Sequence, residues 1–216
     1  MSTLRLTVLT RSQVELGGYV GYSTILFADA VRKAGGKQYL SLERSPEFGA
    51  IISSLVDLAG LRGFVKVEIG SSDASIKRLH KNGTIKHIDM MFLDHYKPAY
   101  LVDLKLSEEL QLITPGSVLA ADNVIKPGNP PYLEYVRSSV AEKRKLVEQT
   151  NGSTEPDPRF GEKETNQYVK SRGMEVLDGS LKGNPNLVYK SELVHSFEPT
   201  GVPVSCAFLR LSGTLC

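Results

Sequence analysis

Short apolar runs recur along the chain, and stretches with apolar residues at helical spacing lie between them. The runs that predict strands are residues 38–42, 64–69, 88–93 and 117–121. The stretches that predict helices are residues 23–33, 45–60, 74–81 and 101–112. This alternation of strand and helix is typical of an α/β protein, with a mostly parallel sheet and helices on both of its faces.

The pattern is less regular toward the two ends of the chain. A short strand around Glu15, with Val14 and Leu16 on either side, precedes a glycine-rich turn. After residue 130, the predicted elements are a short helix at residues 132–140 and strands at residues 186–197 and 202–211. These two strands would form a hairpin that closes the sheet with an antiparallel strand. Polar residues, Gly and Pro dominate residues 141–186, which predicts a partly disordered surface insertion within one domain spanning residues 1–216.

Composition narrows the class of protein. The chain has 216 residues with 41% hydrophobic and 23% charged residues, which is ordinary for one soluble globular domain. A net charge of +2 gives no argument for a nucleic-acid partner. No apolar run approaches the roughly 18 residues that suggest a membrane span. The two cysteines, Cys206 and Cys216, form no metal or disulfide pattern. We expect a monomeric, cytoplasmic protein without a signal peptide.

Acidic and amide side chains follow two of the predicted strands at the point where each strand ends. Asp94 comes directly after residues 88–93, and Asp122 and Asn123 follow residues 117–121. Ligands of open α/β sheets collect at the carboxyl ends of the strands. Three hard oxygen ligands at this edge favour a divalent cation such as Mg²⁺. A single Asp after a strand is more often a helix cap, but two strand ends together are less easily explained that way.

The loop after the first of these strands also carries a candidate base. Lys97 lies three residues after Asp94, and a neighbouring cation with partial burial would favour its neutral amine. The alternative is an ordinary surface lysine. His95 and Tyr96 could line a cofactor pocket, although His95 could equally be a structural histidine.

A second candidate site lies at the ends of the first two predicted strands. Glu15, Gly17 and Gly21 form a glycine-rich turn that differs from the Gly-x-Gly-x-x-Gly dinucleotide pattern, so it could be only a helix-opening turn. Glu43 ends the strand at residues 38–42, where a carboxylate can accept both hydroxyls of a ribose. The alternative is a solvated glutamate ahead of a helix N-terminus.

Several segments together resemble the catechol O-methyltransferase family. Residues 89–97 read Asp-Met-Met-Phe-Leu-Asp-His-Tyr-Lys, and residues 119–130 read Leu-Ala-Ala-Asp-Asn-Val-Ile-Lys-Pro-Gly-Asn-Pro. Residues 15–23 read Glu-Leu-Gly-Gly-Tyr-Val-Gly-Tyr-Ser, and Glu43 and Ile-Gly-Ser-Ser-Asp at residues 69–73 follow in the family's order. The resemblance covers roughly residues 13–140 and implies a Rossmann-like methyltransferase fold.

The resemblance also implies an activity and its residues. It implies that S-adenosylmethionine and Mg²⁺ are the cofactors, and that one hydroxyl of a small-molecule catechol is methylated. Asp94, Asp122 and Asn123 would hold the metal, and Lys97 would take a proton from the catechol. The residues implied to contact S-adenosylmethionine are Glu15, Gly17, Tyr19, Ser23, Glu43, Ser72, Asp94, His95 and Tyr96. Those implied to contact the substrate are Lys97, Asn123 and Pro127, with Glu192 as the candidate for a late catalytic glutamate.

The chain also departs from the family pattern. Tyr96 stands where the animal enzymes carry tryptophan, which preserves an aromatic face. The family's helices ahead of the glycine turn have no counterpart in the first dozen residues, and the polar insertion at residues 141–186 has none in the animal enzymes. Two alternatives therefore stay open. The chain could methylate another vicinal diol or phenol, or it could be a catalytically weak or silent relative that binds a nucleotide-like ligand or a partner protein.

Overall fold

The computed structural model of the chain describes residues 12–149, 152, 154, 157–160, 177–197, 201 and 203–214. Its strands are β1 Gln13–Leu16, β2 Tyr39–Glu43, β3 Val65–Ile69, β4 Met90–Leu93, β5 Val118–Ala121, β6 Leu187–Phe197 and β7 Pro203–Thr214. Its α-helices are α1 Tyr22–Lys33, α2 Pro46–Leu58, α3 Ser72–Lys81, α4 Ala99–Glu109, α5 Pro130–Arg137 and α6 Val140–Glu148. The strands form a mostly parallel sheet in the order β3-β2-β1-β4-β5-β7-β6. The predicted α/β fold with a closing antiparallel strand is confirmed.

The chain divides into two compact units, residues 1–92 and residues 93–216, which are described separately. In the first unit, β2 pairs in parallel with both β1 and β3. All four residues of β1 are buried, although two of them are polar. A cluster of buried apolar side chains joins the helices to this part of the sheet; it consists of Ala28, Val31, Tyr39, Ile52, Val56, Leu61 and Val65.

In the second unit, β7 pairs antiparallel with both β5 and β6, so the predicted hairpin forms. Its register sets Ala121 opposite Ala207 and Leu193 opposite Ala207 on the other side. The end of β5 is therefore next to the residue that precedes Ala207 in β7, which is Cys206. This pairing therefore fixes the position of the carboxyl end of β5, which the candidate metal ligands Asp122 and Asn123 directly follow.

Several predicted boundaries differ from the structure, and two of these differences have a clear physical cause. Helix α4 begins at Ala99, earlier than the predicted residue 101, because the chain turns into the helix directly after Pro98. Helix α6 occupies the start of the predicted polar insertion, where Ser139 and Glu142 form a capping box. This cap satisfies the first backbone N–H groups of a helix with few apolar residues. Residues 1–11 and most of residues 150–176 lie outside the described residues. The expectation that the family's helices ahead of the glycine turn have no counterpart here therefore stays a prediction.

Candidate active site

In the first unit, the glycine-rich turn carries the chain from β1 to α1. Gly17 and Gly21 have φ values of 94° and 89°, and Tyr19 between them has a φ of 48°. Glycine adopts such left-handed conformations without the penalty that a Cβ imposes. The Gly17 N–H donates to the Leu42 carbonyl at 2.9 Å, which fastens the turn to the end of β2.

Gly18 brings the same turn close to its neighbours. A Cβ at this position would lie 2.5 Å from Ser41 Oγ and 2.7 Å from Ile52 Cδ1. Both distances are well inside van der Waals contact, and Ser41 and Ile52 are fully buried. The turn therefore packs against β2 and α2 in a way that only glycine permits.

The carboxylate of Glu15 is part of the interior of the first unit. Glu15 is 0% exposed, and its Oε2 accepts hydrogen bonds from the hydroxyls of Thr24 and Ser41. These contacts join β1 to α1 and β2. The side chain thus stabilises the base of the turn. A cofactor contact at this position would therefore come from the backbone of Glu15. The predicted cofactor role of Glu15 stays a prediction.

Glu43 lies between the glycine turn and the start of α2. Its Oε2 accepts the Tyr19 N–H at 2.9 Å, and its Oε1 accepts the Ser45 N–H at 2.8 Å. Two backbone donors therefore hold the carboxylate in one orientation at the carboxyl end of β2. Three other side chains in this unit are predicted near the cofactor. Ser23 and Ser72 are partly exposed in the first turns of α1 and α3, and Tyr19 is 61% exposed. Their cofactor contacts stay predictions.

In the second unit, the ends of β4 and β5 meet, because the Asp122 N–H donates to the Leu93 carbonyl at 3.0 Å. Lys97 joins both ends. Its ammonium donates to Asp94 Oδ1 at 3.1 Å and lies 3.5 Å from the Asp122 carbonyl oxygen. It also donates to the Tyr100 hydroxyl at 2.6 Å. The Lys97 side chain is only 14% exposed, while that of Asp94 is 38% exposed. The lysine is therefore a positioned group and not a solvated surface lysine.

One oxygen of Asp122 receives two donors. The Asn123 N–H and the Cys206 thiol each donate to Asp122 Oδ1 at 2.8 Å. Burial and the negative charges of Asp122 and Asp94 raise the pKa of the Cys206 thiol to about 12, although Lys97 acts in the opposite direction. The thiol therefore keeps its proton at neutral pH and can act as the donor. Because Lys97 contacts both Asp94 and the Asp122 carbonyl, these two residues and Cys206 lie in one neighbourhood.

The donor set at this edge suits a hard cation. Mg²⁺ prefers hard oxygen ligands, and Asp94, Asp122 and Asn123 would supply two carboxylates and one amide oxygen. Asn123 has a φ of 55°, a left-handed conformation that turns the chain sharply directly after Asp122. Among the described residues, no three His, Cys, Asp or Glu side chains are grouped to hold a metal. The predicted set contains two such side chains and an asparagine, so its assignment as a Mg²⁺ site stays a prediction.

His95 and Tyr96 are both engaged within the second unit. His95 Nε2 is 2.7 Å from Asp103 Oδ2, and its ring stacks on Tyr100 with centroids 4.8 Å apart. Tyr96 is 6% exposed and packs with a cluster that includes Ala99 and Leu177. The contact with Asp103 supports the alternative of a structural histidine. The predicted adenine contacts of His95 and Tyr96 stay predictions.

Comparison with known proteins identifies the family. Residues 14–124, more than half of the chain, match a family described as a methyltransferase domain. The chain belongs to this methyltransferase family. Catechol O-methyltransferases from Bos taurus and Mus musculus are each 44% identical to it over 126 residues, or 58% of the chain. The chain spans less than half of the length of these two relatives, 46% and 47%.

A solved structure supports the same methyltransferase fold. The O-methyltransferase TomG from Streptomyces achromogenes, in complex with S-adenosylmethionine, has a TM-score of 0.59 at 20% identity. The alignment covers 97% of this chain and 76% of that protein. In the methyltransferase described here, no helix among the described residues is long and apolar enough to cross a membrane.

Pro127 and Glu192 are the remaining predicted site residues, and both are exposed. Pro127 is exposed in the turn Val124–Gly128 and follows a cis peptide bond. Glu192 is exposed in β6 and lies opposite Phe208, so β7 separates its strand from β5. The β7 side chain that reaches Asp122 is Cys206. The roles of Pro127 and Glu192 stay predictions.

Sequence reasoning missed two side chains that contact the candidate site residues Lys97 and Asp122. Tyr100 follows Lys97 by three residues, and helical spacing at the start of α4 could have indicated their contact. Cys206 lies 84 residues after Asp122, and their contact depends on the register of β7. No local pattern reveals a register of this kind.

Proposed function

We propose that this protein transfers a methyl group from S-adenosylmethionine to one hydroxyl of a catechol, with Mg²⁺ held by Asp94, Asp122 and Asn123. The similarity to catechol O-methyltransferases supports the reaction class. The observation that carries the proposal is the position of Lys97, whose ammonium contacts both Asp94 and the Asp122 carbonyl. A candidate base thus lies directly beside the candidate metal ligands.

Glu43 and the glycine turn would bind the cofactor. In the first unit, Glu43 would accept the ribose hydroxyls of S-adenosylmethionine, because two backbone donors hold its carboxylate at the end of β2. The glycine turn would admit the methionine part close to the backbone. When bound, S-adenosylmethionine would supply a methyl group on a positively charged sulfur, and Mg²⁺ would supply a Lewis acid for adjacent hydroxyls.

In the second unit, Lys97 would accept the hydroxyl proton at Nζ. The amine has to be neutral for this step, and the hydroxyl oxygen then becomes the nucleophile. Tyr100 holds Nζ at 2.6 Å, and Asn129 Nδ2 donates to the Lys97 carbonyl at 2.8 Å. These contacts fix both the backbone and the side chain of Lys97. Much of the expected rate enhancement would come from such positioning.

A methylation assay tests the proposal. The protein is incubated with S-adenosylmethionine, MgCl₂ and 3,4-dihydroxybenzoate, and mass spectrometry follows a monomethylated product. We expect product only when all three are present, because both the metal and a neighbouring hydroxyl are needed to place the reacting oxygen. Chelation with EDTA should abolish the reaction, and added MgCl₂ should restore it.

A phenol that lacks the second hydroxyl distinguishes the proposed catechol methylation from the alternative functions. With 4-hydroxybenzoate, which lacks the neighbouring hydroxyl, we expect little or no product. Equal rates on the two compounds would contradict a catechol-chelating site and would favour a general phenol methyltransferase. Cofactor binding without turnover on any of them would favour a silent relative. Light scattering and cell fractionation test the accompanying proposal of a monomeric, cytoplasmic protein.

Glu43→Gln tests the cofactor half of the proposal. We expect the dissociation constant for S-adenosylmethionine to rise about 10- to 100-fold, since hydrogen bonds to a charged acceptor contribute about 1.5–3 kcal/mol. Isothermal titration calorimetry measures the change. Glu47→Gln is the matched control, because Glu47 is an exposed glutamate four residues later, in the first turn of α2. Unchanged affinity in Glu43→Gln would rule out Glu43 as a ribose ligand.

A further inference from the structure

Cys206 is the β7 residue that reaches the candidate metal ligands. Ala207 lies opposite Ala121 in the antiparallel pairing of β5 with β7, so the preceding residue of β7 lies beside Asp122. Cys206 is only partly exposed there, and its thiol contacts Asp122 Oδ1 at 2.8 Å. This contact comes from the strand register, and Cys206 itself lies outside residues 14–124, the segment that matches the methyltransferase family.

The two donors on Asp122 Oδ1 constrain the carboxylate in different ways. The Asn123 N–H belongs to the next residue in the chain, so it holds the oxygen close to the backbone. The Cys206 thiol approaches from the neighbouring strand. With one oxygen held from two sides, rotation of the carboxylate is restricted, and the other oxygen has a defined direction. Groups that orient a metal ligand in this way contribute to metal affinity.

We propose that Cys206 is a positioning residue for the divalent cation. Its thiol holds Asp122 Oδ1 and thereby leaves Oδ2 to ligate the metal. The inference rests on the proposed Mg²⁺-dependent function and adds to it a residue of β7 that touches neither substrate nor cofactor. It predicts that metal affinity depends on a hydrogen-bond donor at position 206, and not merely on a side chain of suitable size.

Direct measurement of Mn²⁺ binding tests this inference without relying on turnover. The loss of the free-ion electron paramagnetic resonance signal gives the dissociation constant of the full chain. We expect Cys206→Ala and Cys206→Val to bind Mn²⁺ about tenfold more weakly, because removal of such an outer contact weakens metal sites by about 10- to 100-fold. Cys206→Ser keeps a donor in place and should stay within about threefold of the wild-type protein.

The four proteins separate the possible outcomes. Wild-type affinity in both Cys206→Ala and Cys206→Val would overturn the positioning role while leaving the proposed function intact. Equal weakening in all three variants, serine included, would also overturn it, since packing and not the donor would then matter. No Mn²⁺ binding by the wild-type protein would overturn the metal site, and with it both proposals. S-adenosylmethionine binding, measured in parallel, checks that each variant is folded.

Discussion

Replacement of Lys97 by arginine is expected to lower the turnover number for catechol methylation by about 100- to 10,000-fold, the usual contribution of a positioned general base. Arginine keeps the positive charge near Asp94 but is effectively always protonated, so it cannot accept the hydroxyl proton. The substitution therefore separates proton transfer from simple charge balance. Steady-state kinetics with a catechol at saturating S-adenosylmethionine measures the effect.

Binding measurements complete this test of Lys97. The dissociation constant for S-adenosylmethionine should stay within about twofold, because the hydrogen bonds of the Lys97 side chain described above are made to Asp94, Tyr100 and Asp122. Lys37→Arg is the control, since Lys37 is exposed and precedes β2 in the other unit. If Lys97→Arg turned over at the wild-type rate, Lys97 would not be the base. A rate lost in Lys97→Met and retained in Lys97→Arg would assign Lys97 an electrostatic role instead.

Asp94 and Asp122 illustrate what can be inferred from local sequence. Each follows a short apolar run, and the carboxyl ends of parallel strands lie at one edge of a sheet. Their proximity was therefore predictable once the strands were recognised. The same reasoning located Glu43 at the end of β2. In each case the information lies in a few consecutive residues, and the fold rule supplies the rest.

Strand β1 shows where such reasoning weakens. Gln13 and Glu15 interrupt its apolar pattern, yet both are buried in the structure. The Glu15 carboxylate is accommodated because the hydroxyls of Thr24 and Ser41 donate to it. These partners come from α1 and β2, so the pattern of β1 alone cannot reveal that a polar residue belongs in the interior.

Helix α6 shows a similar limit for charged residues. Its sequence is rich in Lys and Glu, and the composition of this region predicts a partly disordered surface insertion. Lys143 is nevertheless 0% exposed, because its ammonium donates to the Leu187 carbonyl at 2.8 Å and lies over the rings of Tyr135 and Tyr189. The partners are up to 46 residues away in the chain, and composition gives no indication of them.

Lys143 belongs to a buried charged cluster. Of the substitutions proposed in this chain, one that disrupts this cluster should lower the free energy of unfolding most. Glu108 is 1% exposed and accepts hydrogen bonds from the hydroxyls of Tyr135 and Tyr189. The Lys143 ammonium lies 4.5 Å and 4.6 Å from the centroids of these same two rings. The Asn184 N–H adds a third donor to Glu108 at 2.8 Å. The cluster therefore ties α4, α5, α6 and β6 together around one negative and one positive charge.

Lys143→Met is expected to lower the free energy of unfolding at pH 7 by about 3–5 kcal/mol, the usual effect of removing one partner from a buried pair of charges. Methionine fills much of the volume but leaves Glu108 without its compensating charge and the Leu187 carbonyl without its donor. Urea denaturation followed by circular dichroism measures the loss. Lys145→Met, an exposed position in the same helix, is the matched control and should change stability by less than about 0.5 kcal/mol.

The pH dependence of this loss follows from Glu108. Burial raises the pKa of its carboxyl, whereas Lys143, Tyr135, Tyr189 and the Asn184 N–H lower it, so removal of the lysine raises that pKa further. The folded variant then binds more protons than the unfolded chain at pH values above 4.5, and its stability falls as the pH rises through that window. The deficit of Lys143→Met should therefore shrink toward pH 4.5 and be largest near neutrality. A second substitution, Glu108→Gln, should recover part of the loss and remove this pH dependence. A deficit that is constant between pH 4.5 and 7 would mean that lost packing, and not the unpaired carboxylate, accounts for the instability.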